Sequence, residues 1–319
     1  MSIQKMLLAM MKKPRQNWTL HERGAVSDKT INPNKPIARP SKAICDCHVH
    51  VFETTEAYPF ENVPAYEPPL SPLSRLRETG DIAGVSRFVL VQPTPYGRDP
   101  ALLLASLKTM GNRAKGIAVA DASISLQDLE KIQQAGVVGL RFIENLLPNG
   151  QKMPGAVSVE VLIEKLAPLL KELGMHAEIW GPLPRLTEYW PKLDKIGIPV
   201  VLDHMGGVDV ASGLSNPDFQ NLLARVKEGN IWVKLAVCRR GNGDNGFDAV
   251  RAFHDAFISA NSEQLLWATD FPFVKYATTP PKMSDLIAIF RSWVKDEAVI
   301  DQILVRNPIT RYGFARDQG

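Results

Sequence analysis

The chain switches between two kinds of segment eight times, and this alternation constrains its fold more than any other feature. Short apolar runs rich in β-branched residues are followed by stretches in which apolar residues recur with helical spacing. Phe219, Leu222, Leu223 and Val226 form one such stripe, at positions i, i+3, i+4 and i+7. The predicted strands are 43–51, 86–93, 115–120, 137–143, 175–180, 199–205, 231–237 and 264–270, and the predicted helices are 72–83, 100–111, 125–135, 158–173, 185–196, 216–228, 246–260 and 283–293.

Eight strands that alternate with eight helices over about 270 residues are the pattern of an α/β protein with a (β/α)8 TIM barrel. A doubly wound sheet is the alternative, but it often carries a glycine-rich phosphate loop after its first strand, and no G-x-G-x-x-G occurs here. We therefore predict a barrel over residues 43–319. Residues 1–42 are rich in Pro, Lys and Asn and show no period, so we predict an N-terminal extension there.

The composition excludes several classes of protein. A net charge of +3 is too small to predict binding to nucleic acid or to a membrane surface, and no apolar run approaches the roughly 18 residues of a spanning helix. Three cysteines, Cys45, Cys47 and Cys238, are too few for a disulfide framework and are expected to be buried. Lysines follow the apolar run near the N-terminus rather than precede it, so no secretory signal is predicted. We expect a cytoplasmic enzyme with a small-molecule substrate, and a homo-oligomer remains open.

Four residues at predicted strand ends are candidates for catalysis. His48 and His50 lie two apart on the first strand, so their side chains project to the same side. His204 ends the sixth predicted strand and Asp270 ends the eighth, where a carboxylate is costly unless it has a partner or a function. Because the active site of a TIM barrel lies at the carboxyl ends of its strands, we expect these side chains to meet.

This group allows two kinds of chemistry. Three imidazoles and one carboxylate could bind a single divalent metal, Zn²⁺ or Mn²⁺, which would polarise a carbonyl and activate water. Without a metal, Asp270 could act as the general base on water while the imidazoles stabilise the oxyanion. The residues themselves leave this choice open.

Other polar residues near strand ends are weaker candidates. Arg98, Arg141 and Arg239 could each hold a substrate carboxylate through two hydrogen bonds. His176 begins the fifth predicted strand, where a buried structural residue is the more common case. Lys234 is expected to form a salt bridge or to be solvated, and the roles of His176 and Lys234 stay open.

Three motifs resemble the amidohydrolase superfamily, in its amidohydrolase-related branch. They are DCHVHVF at 46–52, LDHMG at 202–206 and WATDFP at 267–272. Within that branch the chain is most similar to the group that contains 2-pyrone-4,6-dicarboxylate lactonase, sulfomuconolactone hydrolase and galactarolactone isomerase. The segments VQPTPYGRD at 91–99 and AYEPP at 65–69 are similar to loops of this group.

The resemblance implies a hydrolase that opens a lactone with water activated by a carboxylate. It implies a catalytic group and a substrate-binding group, which are His48, His50, His204 and Asp270 for the first and Tyr66, Thr94, Arg141 and Arg239 for the second. Pyrone lactonase-like members are regarded as working without a metal, whereas the wider superfamily uses one. The implied cofactor is therefore either none or a single divalent metal.

Two departures from the lactonase pattern bear on the substrate. Gly207 stands where that pattern has a basic residue, and Phe271-Pro272-Phe273 replaces a usual Trp-Pro-His. Each lost charged group removes contacts of about 1.5–3 kcal/mol, so we predict a substrate with one carboxylate or a more apolar ring. Two alternatives remain, a metal-dependent decarboxylase of the same superfamily and a non-catalytic barrel that binds a small carboxylate.

Overall fold

The computed structural model describes residues 43–241, 247–276 and 279–316, so the extension predicted for 1–42 lies outside the described residues. Eight parallel strands pair in sequential order from β1 to β8, as a TIM barrel requires. Their bounds are Ile44–Val49, Val85–Val91, Ala114–Ala118, Val137–Ile143, His176–Trp180, Val200–Leu202, Trp232–Leu235 and Leu265–Trp267. The predicted fold class is confirmed.

Helices follow the strands as the sequence predicts. In chain order they are α1 Leu73–Ala83, α2 Ala101–Met110, α3 Leu126–Gln134, α4 Val159–Val161, α5 Ala167–Glu172, α6 Leu183–Thr187, α7 Trp190–Leu193, α8 Pro217–Lys227, α9 Asp248–Asn261, α10 Met283–Trp293, α11 Glu297–Asp301 and α12 Asn307–Tyr312. A π-helical segment, Leu162–Leu166, joins α4 to α5, and another, Gln302–Arg306, joins α11 to α12. Among the described residues no helix is long and apolar enough to cross a membrane.

Two features of the helices differ from the sequence prediction. The helix predicted over 185–196 is two short helices, α6 and α7, each with a proline in its first turn. Pro191 has no N–H to continue the preceding helix, so a new helix begins there. The sequence prediction also omitted α11 and α12, although Ile300, Ile303 and Tyr312 are buried against the barrel.

Strands β6 and β8 end earlier than predicted, at Leu202 and Trp267. Beyond them the backbone enters the left-handed region, with φ of 51° at His204 and 58° at Asp270. A left-handed residue cannot continue a strand, because its peptide groups turn away from the neighbouring ladder. The candidate residues on these two strands therefore stand on turns at the rim of the barrel.

The barrel is closed by hydrogen bonds between the end of β1 and the turn after β8. The Asp270 N–H donates to the His48 carbonyl at 2.9 Å, and the His50 N–H donates to the Phe271 carbonyl at 2.8 Å. Asp46, which is fully buried, accepts from the backbone N–H of His48 at 3.2 Å and from that of Thr269 at 3.0 Å. This seam places the first and last catalytic candidates side by side.

The C-terminal segment packs against a second, smaller cluster of the core. Tyr312 and Phe314 contact a group that also contains Cys45, Cys47 and residues of four other strands. The Tyr312 hydroxyl donates to Glu178 Oε1 at 3.0 Å, so this ring reaches a buried side chain of β5. All three cysteines are free and buried, as the sequence predicts.

The turn after β6 requires glycine at position 207, which generates a stability prediction. Gly207 has a φ of +72°, and a Cβ there would lie 1.9 Å from the Gly181 carbonyl oxygen. We expect Gly207→Ala to lower the free energy of unfolding by about 1–3 kcal/mol more than a glycine substitution without a clash, as measured by denaturant unfolding.

Gly84, which follows α1, provides the control for this substitution. Its φ is +73°, but a Cβ there would meet nothing within 4 Å. Gly84→Ala therefore carries the cost of a positive φ without the steric overlap. Equal losses of stability in the two variants would contradict the close packing of this turn.

Candidate active site

The carboxyl ends of the strands surround a cleft of about 210 Å³. It is lined by seven of the eight residues that the sequence assigned to catalysis or substrate, namely His50, Tyr66, Thr94, Arg141, His204, Arg239 and Asp270. The eighth, His48, is fully buried directly behind His50, with ring centroids 4.9 Å apart. The tertiary structure thus brings the whole predicted set into one place.

Three atoms converge at the base of the cleft. His48 Nε2 and His50 Nε2 are 3.3 Å apart, and Asp270 Oδ1 lies 3.1 Å from His50 Nε2 and 3.5 Å from His48 Nε2. Although these atoms are close, Asp270 Oδ1 has no partner with hydrogen-bond geometry. Three polar atoms that share one small space in this way need a proton or a cation between them.

The backbone around this centre is strained. Five non-glycine residues have a positive φ among the described residues, and all five lie in the turns after β6 and β8; they are His204, Met205, Asp270, Phe273 and Lys275. Such conformations cost of order 1–3 kcal/mol each and concentrate at functional sites, where the surrounding structure enforces them. The strain fixes the direction in which His204 and Asp270 present their side chains.

Asp270 is held as a carboxylate by the groups around it. Its Oδ2 forms an ion pair with Arg239 Nε and lies 3.2 Å from His204 Nε2. Burial alone would raise the pKa of Asp270, but the Arg239 charge and then His204 hold that pKa well below its usual value. Asp270 is therefore ionised at neutral pH.

Arg239 is largely committed to this turn. Its Nη1 donates to the Val274 carbonyl at 2.6 Å, while its Nη2 is buried without a hydrogen-bond partner among the described residues. The Nε group of Arg239 thus binds Asp270, and Nη2 is left as a donor for a group in the cleft.

His48 is backed by a cluster of buried charges. Its Nδ1 lies 3.0 Å from Asp203 Oδ1 and 3.1 Å from Lys234 Nζ. Lys234 also pairs with Glu178 Oε2 and lies 3.1 Å from Asp203 Oδ1, and neither carboxylate side chain is exposed. Burial lowers the pKa of His48 to about 3, so the ring is neutral at physiological pH.

The residues at the base of the cleft fit a single divalent metal ion. His48, His50 and Asp270 form a group that could hold one. Ligand atoms about 2.1 Å from one ion are roughly 3–3.5 Å apart in tetrahedral or octahedral geometry, and the three atoms here match this spacing. His50 Nδ1 lies 2.7 Å from the Val91 carbonyl, which fixes the ring proton on that nitrogen and leaves a lone pair on Nε2.

The wall of the cleft carries the substrate-binding candidates. Arg141 is almost fully buried, donates from Nε to Asp203 Oδ2 at 3.3 Å, and lies 5.3 Å from the Trp180 ring. Tyr66 packs against Phe52, with ring centroids 6.5 Å apart, and burial raises its pKa to about 12. Its hydroxyl is therefore a neutral hydrogen-bonding group at physiological pH.

Two residues considered from the sequence lie outside the cleft. Arg98 pairs with Glu61 at 2.9 Å and with Asp121 at 2.5 Å, and its side chain is 54% exposed. His176 is buried 3.5 Å from Glu178 and packs against the Tyr312 ring, so it belongs to the core. Arg98 links three loops instead of facing the centre.

Three further residues with charged or amide side chains line the cleft, and the sequence reasoning did not assign them to the site. Arg240 donates from Nε to the His204 carbonyl at 3.0 Å, and Asn145 has a buried amide nitrogen without a partner among the described residues. Lys275 lies at the rim, 5.6 Å from the Tyr66 ring. Arg240 could have been assigned to the site because it is adjacent to Arg239 in the sequence. Lys275 lies in a turn without sequence periodicity, so no pattern indicated it.

Known proteins resemble this chain along most of its length. A family model described as amidohydrolase matches residues 45–314. A 2-pyrone-4,6-dicarboxylate hydrolase from Comamonas testosteroni is 29% identical over 89% of this chain and 95% of its own length. A 4-sulfomuconolactone hydrolase from Rhizobium radiobacter is 27% identical over 85% of this chain and 90% of its own length.

A solved structure gives the same result for the fold. The structure of a probable 2-pyrone-4,6-dicarboxylic acid hydrolase from Acinetobacter baumannii, with citric acid bound, superposes with a TM-score of 0.72 at 25% identity. The match covers 85% of this chain and 99% of that one. With the barrel, the converging histidines and the family match over residues 45–314, the chain belongs to the amidohydrolase family.

Proposed function

We propose that this protein is a hydrolase that opens a lactone, with Asp270 as the general base. The observation that carries the proposal is the ionised Asp270 carboxylate at the base of a cleft, between two histidines and beside an arginine. The named hydrolases to which the chain is similar act on cyclic esters, which supports the same reaction class here.

In the proposed reaction Asp270 takes a proton from the attacking water. Its carboxylate is already ionised and oriented, so no proton has to leave it first. When the tetrahedral intermediate collapses, the ring C–O bond breaks and Asp270 returns the proton to the leaving oxygen. The product carries a new carboxylate and a new hydroxyl group.

The oxyanion needs a hydrogen-bond donor, and His50 directs its Nδ1 to the Val91 carbonyl, so its Nε2 is assigned a lone pair. We assign this role to Arg239 Nη2, the buried donor without a partner, together with His204. If a divalent ion is bound, His48, His50 and Asp270 would hold it, and it would polarise the ester carbonyl and lower the pKa of water.

Substrate carboxylates would bind on the cationic wall of the cleft. Arg141 and Arg240 each use Nε within the protein, and both line the cleft. Arg239 pairs mainly with Asp270. In our proposal it therefore contacts the substrate only through Nη2. Gly207 and Phe273 carry no charge, but Arg240 and Lys275 add positive charge to the cleft. A substrate with a second carboxylate therefore fits the cleft better than the sequence alone implies.

Asp270→Asn tests the general base. We expect turnover to fall by about 10²–10⁴-fold, because an amide cannot accept the proton from water. The substitution leaves Arg239 without its ion pair, so kinetics should be measured well below the thermal unfolding midpoint. Glu228→Gln, which removes an exposed carboxylate outside the cleft, should retain full turnover. An Asp270→Asn enzyme with more than about a tenth of wild-type turnover would eliminate this role.

Arg240→Met tests the carboxylate site. We expect KM for a carboxylate-bearing lactone to rise by about 10–100-fold, since a charged hydrogen bond of about 1.5–3 kcal/mol is lost. KM for an uncharged lactone of the same ring size should stay within about threefold. Arg98→Met, which removes an arginine outside the cleft, is the matched control and should change neither value. An equal rise for both lactones would argue against a carboxylate at Arg240.

A lactone screen on protein of measured metal content tests the reaction class. Release of acid from a panel of sugar-acid and unsaturated lactones can be followed with a pH indicator. Turnover of at least one lactone is expected, whereas release of CO₂ from a carboxylate substrate without ring opening would favour a decarboxylase. Repetition after chelation and metal restoration separates metal-dependent from metal-independent turnover.

A further inference from the structure

The backbone of Asn145 is anchored on both sides by its neighbours in the loop after β4. The N–H of Glu144, the first residue after this strand, donates to the Trp180 carbonyl at 2.8 Å. The Glu144 carboxylate also accepts from the backbone N–H of the first residue of α4 at 2.6 Å. On the other side, Leu146 forms a β-bridge with Lys152. The loop therefore presents Asn145 to the cleft at a fixed place.

The side chain of Asn145, in contrast, forms no hydrogen bond with the described part of the chain. Its Nδ2 is buried without an acceptor, which is a costly state for a donor, and its Oδ1 is not fully buried. Because no hydrogen bond holds the amide, it can rotate about the Cβ–Cγ bond and turn either atom to the cleft that Asn145 lines. A fixed backbone with an unsatisfied amide on a cleft wall indicates a residue that receives its partner from a ligand.

The chemistry of an amide indicates which ligand group would satisfy it. An amide offers a donor at Nδ2 and an acceptor at Oδ1, and a hydroxyl group can pair with both, since it accepts and donates. A carboxylate can only accept, so it would leave Oδ1 unpaired and repel it. The cleft already has four cations for carboxylates, namely Arg141, Arg239, Arg240 and Lys275. An uncharged hydroxyl group is therefore the better partner for Asn145.

The strand order places this contact away from the proposed general base. Asn145 follows β4 and Asp270 follows β8, and these strands lie four apart in a closed ring of eight. Both residues line the cleft, so they face each other across it. A substrate whose ester carbonyl lies at Asp270 would turn its far side to Asn145. Arg141 lies on the same strand as Asn145, so a carboxylate bound there would be on that side as well.

We propose that Asn145 is a specificity-determining residue that binds a hydroxyl group of the substrate on the side far from the reacting carbonyl. The inference rests on the proposed lactone hydrolysis and names its substrate class. That class is a hydroxylated lactone that also carries a carboxylate.

The first test compares two δ-lactones that carry one carboxylate and differ in a hydroxyl group on the ring carbon opposite the carbonyl. Since each neutral hydrogen bond contributes roughly 2–10-fold, the wild type should favour the hydroxylated lactone by about 5–100-fold in kcat/KM. In Asn145→Leu, which keeps the volume but has no polar atom, this preference should fall below about twofold. The kcat/KM of the lactone without the hydroxyl group should stay within about threefold of the wild-type value.

Asn149→Leu is the matched control, because it changes an asparagine of the same loop that does not line the cleft. Asn149 is exposed, and its Nδ2 donates to Gln151 Oε1 at 3.0 Å. This variant should keep the wild-type preference. An equal loss for both lactones in Asn145→Leu would show contact with a group that both share and would overturn the proposal. A preference that survives in Asn145→Leu, or that is lost as far in Asn149→Leu, would overturn it too.

A second test measures binding without turnover, by calorimetry with the two ring-opened acids. The acid with the additional hydroxyl group should bind the wild type about 5–100-fold more tightly, and Asn145→Leu should remove this difference. Lactone turnover with no preference in either measurement would retain the proposed function and overturn the role of Asn145. A binding preference that depends on Asn145, in a protein that hydrolyses neither lactone, would support Asn145 and argue against the lactonase.

Discussion

The seam between β1 and the turn after β8 is the constraint on which the rest of the site depends. Asp46 accepts hydrogen bonds from the backbone of His48 and Thr269 and from the Thr269 hydroxyl, so one buried carboxylate fixes both edges of the seam. A barrel has no free edge only if its first and last strands meet, and here β8 is three residues long. The residues that complete the closure include the catalytic candidates His48, His50 and Asp270, so any loosening of the seam would separate Asp270 from the histidines.

Burial determines how strongly the charges of the site interact. Arg141, Glu178, Asp203 and Lys234 are two cations and two anions, all at most 3% exposed, and they form one compensated cluster behind His48. Removal of any one leaves an uncompensated buried charge, which is why such clusters are destabilising to break even when they add little stability. The same low dielectric keeps His48 neutral and lets Arg239 keep Asp270 ionised. The cleft and the buried charges are therefore linked through the interior of the barrel.

The sequence predicted much of this arrangement because barrels obey a simple rule. Once the eightfold alternation was recognised, polar residues at strand ends had to face one rim, and His48, His50, His204 and Asp270 do so. The prediction was less successful where the chain leaves regular structure. The periodic pattern carried β6 to residue 205 and β8 to residue 270, whereas left-handed turns begin at His204 and Asp270. Local periodicity cannot register a turn that packing imposes, and it could not place Arg240 or Lys275.

The sequence by itself determined the number and order of strands, the rim on which the candidate site lies and the residue types available there, because these follow from local periodicity and from a topology with few alternatives. Only the tertiary structure decided which atoms face one another. Arg239 could have met a substrate but pairs with Asp270, and Lys234 could have been solvated but is buried against His48. Those outcomes depend on distances between residues far apart in the chain, on burial and on the satisfaction of every buried donor, and none of these is encoded in a local pattern.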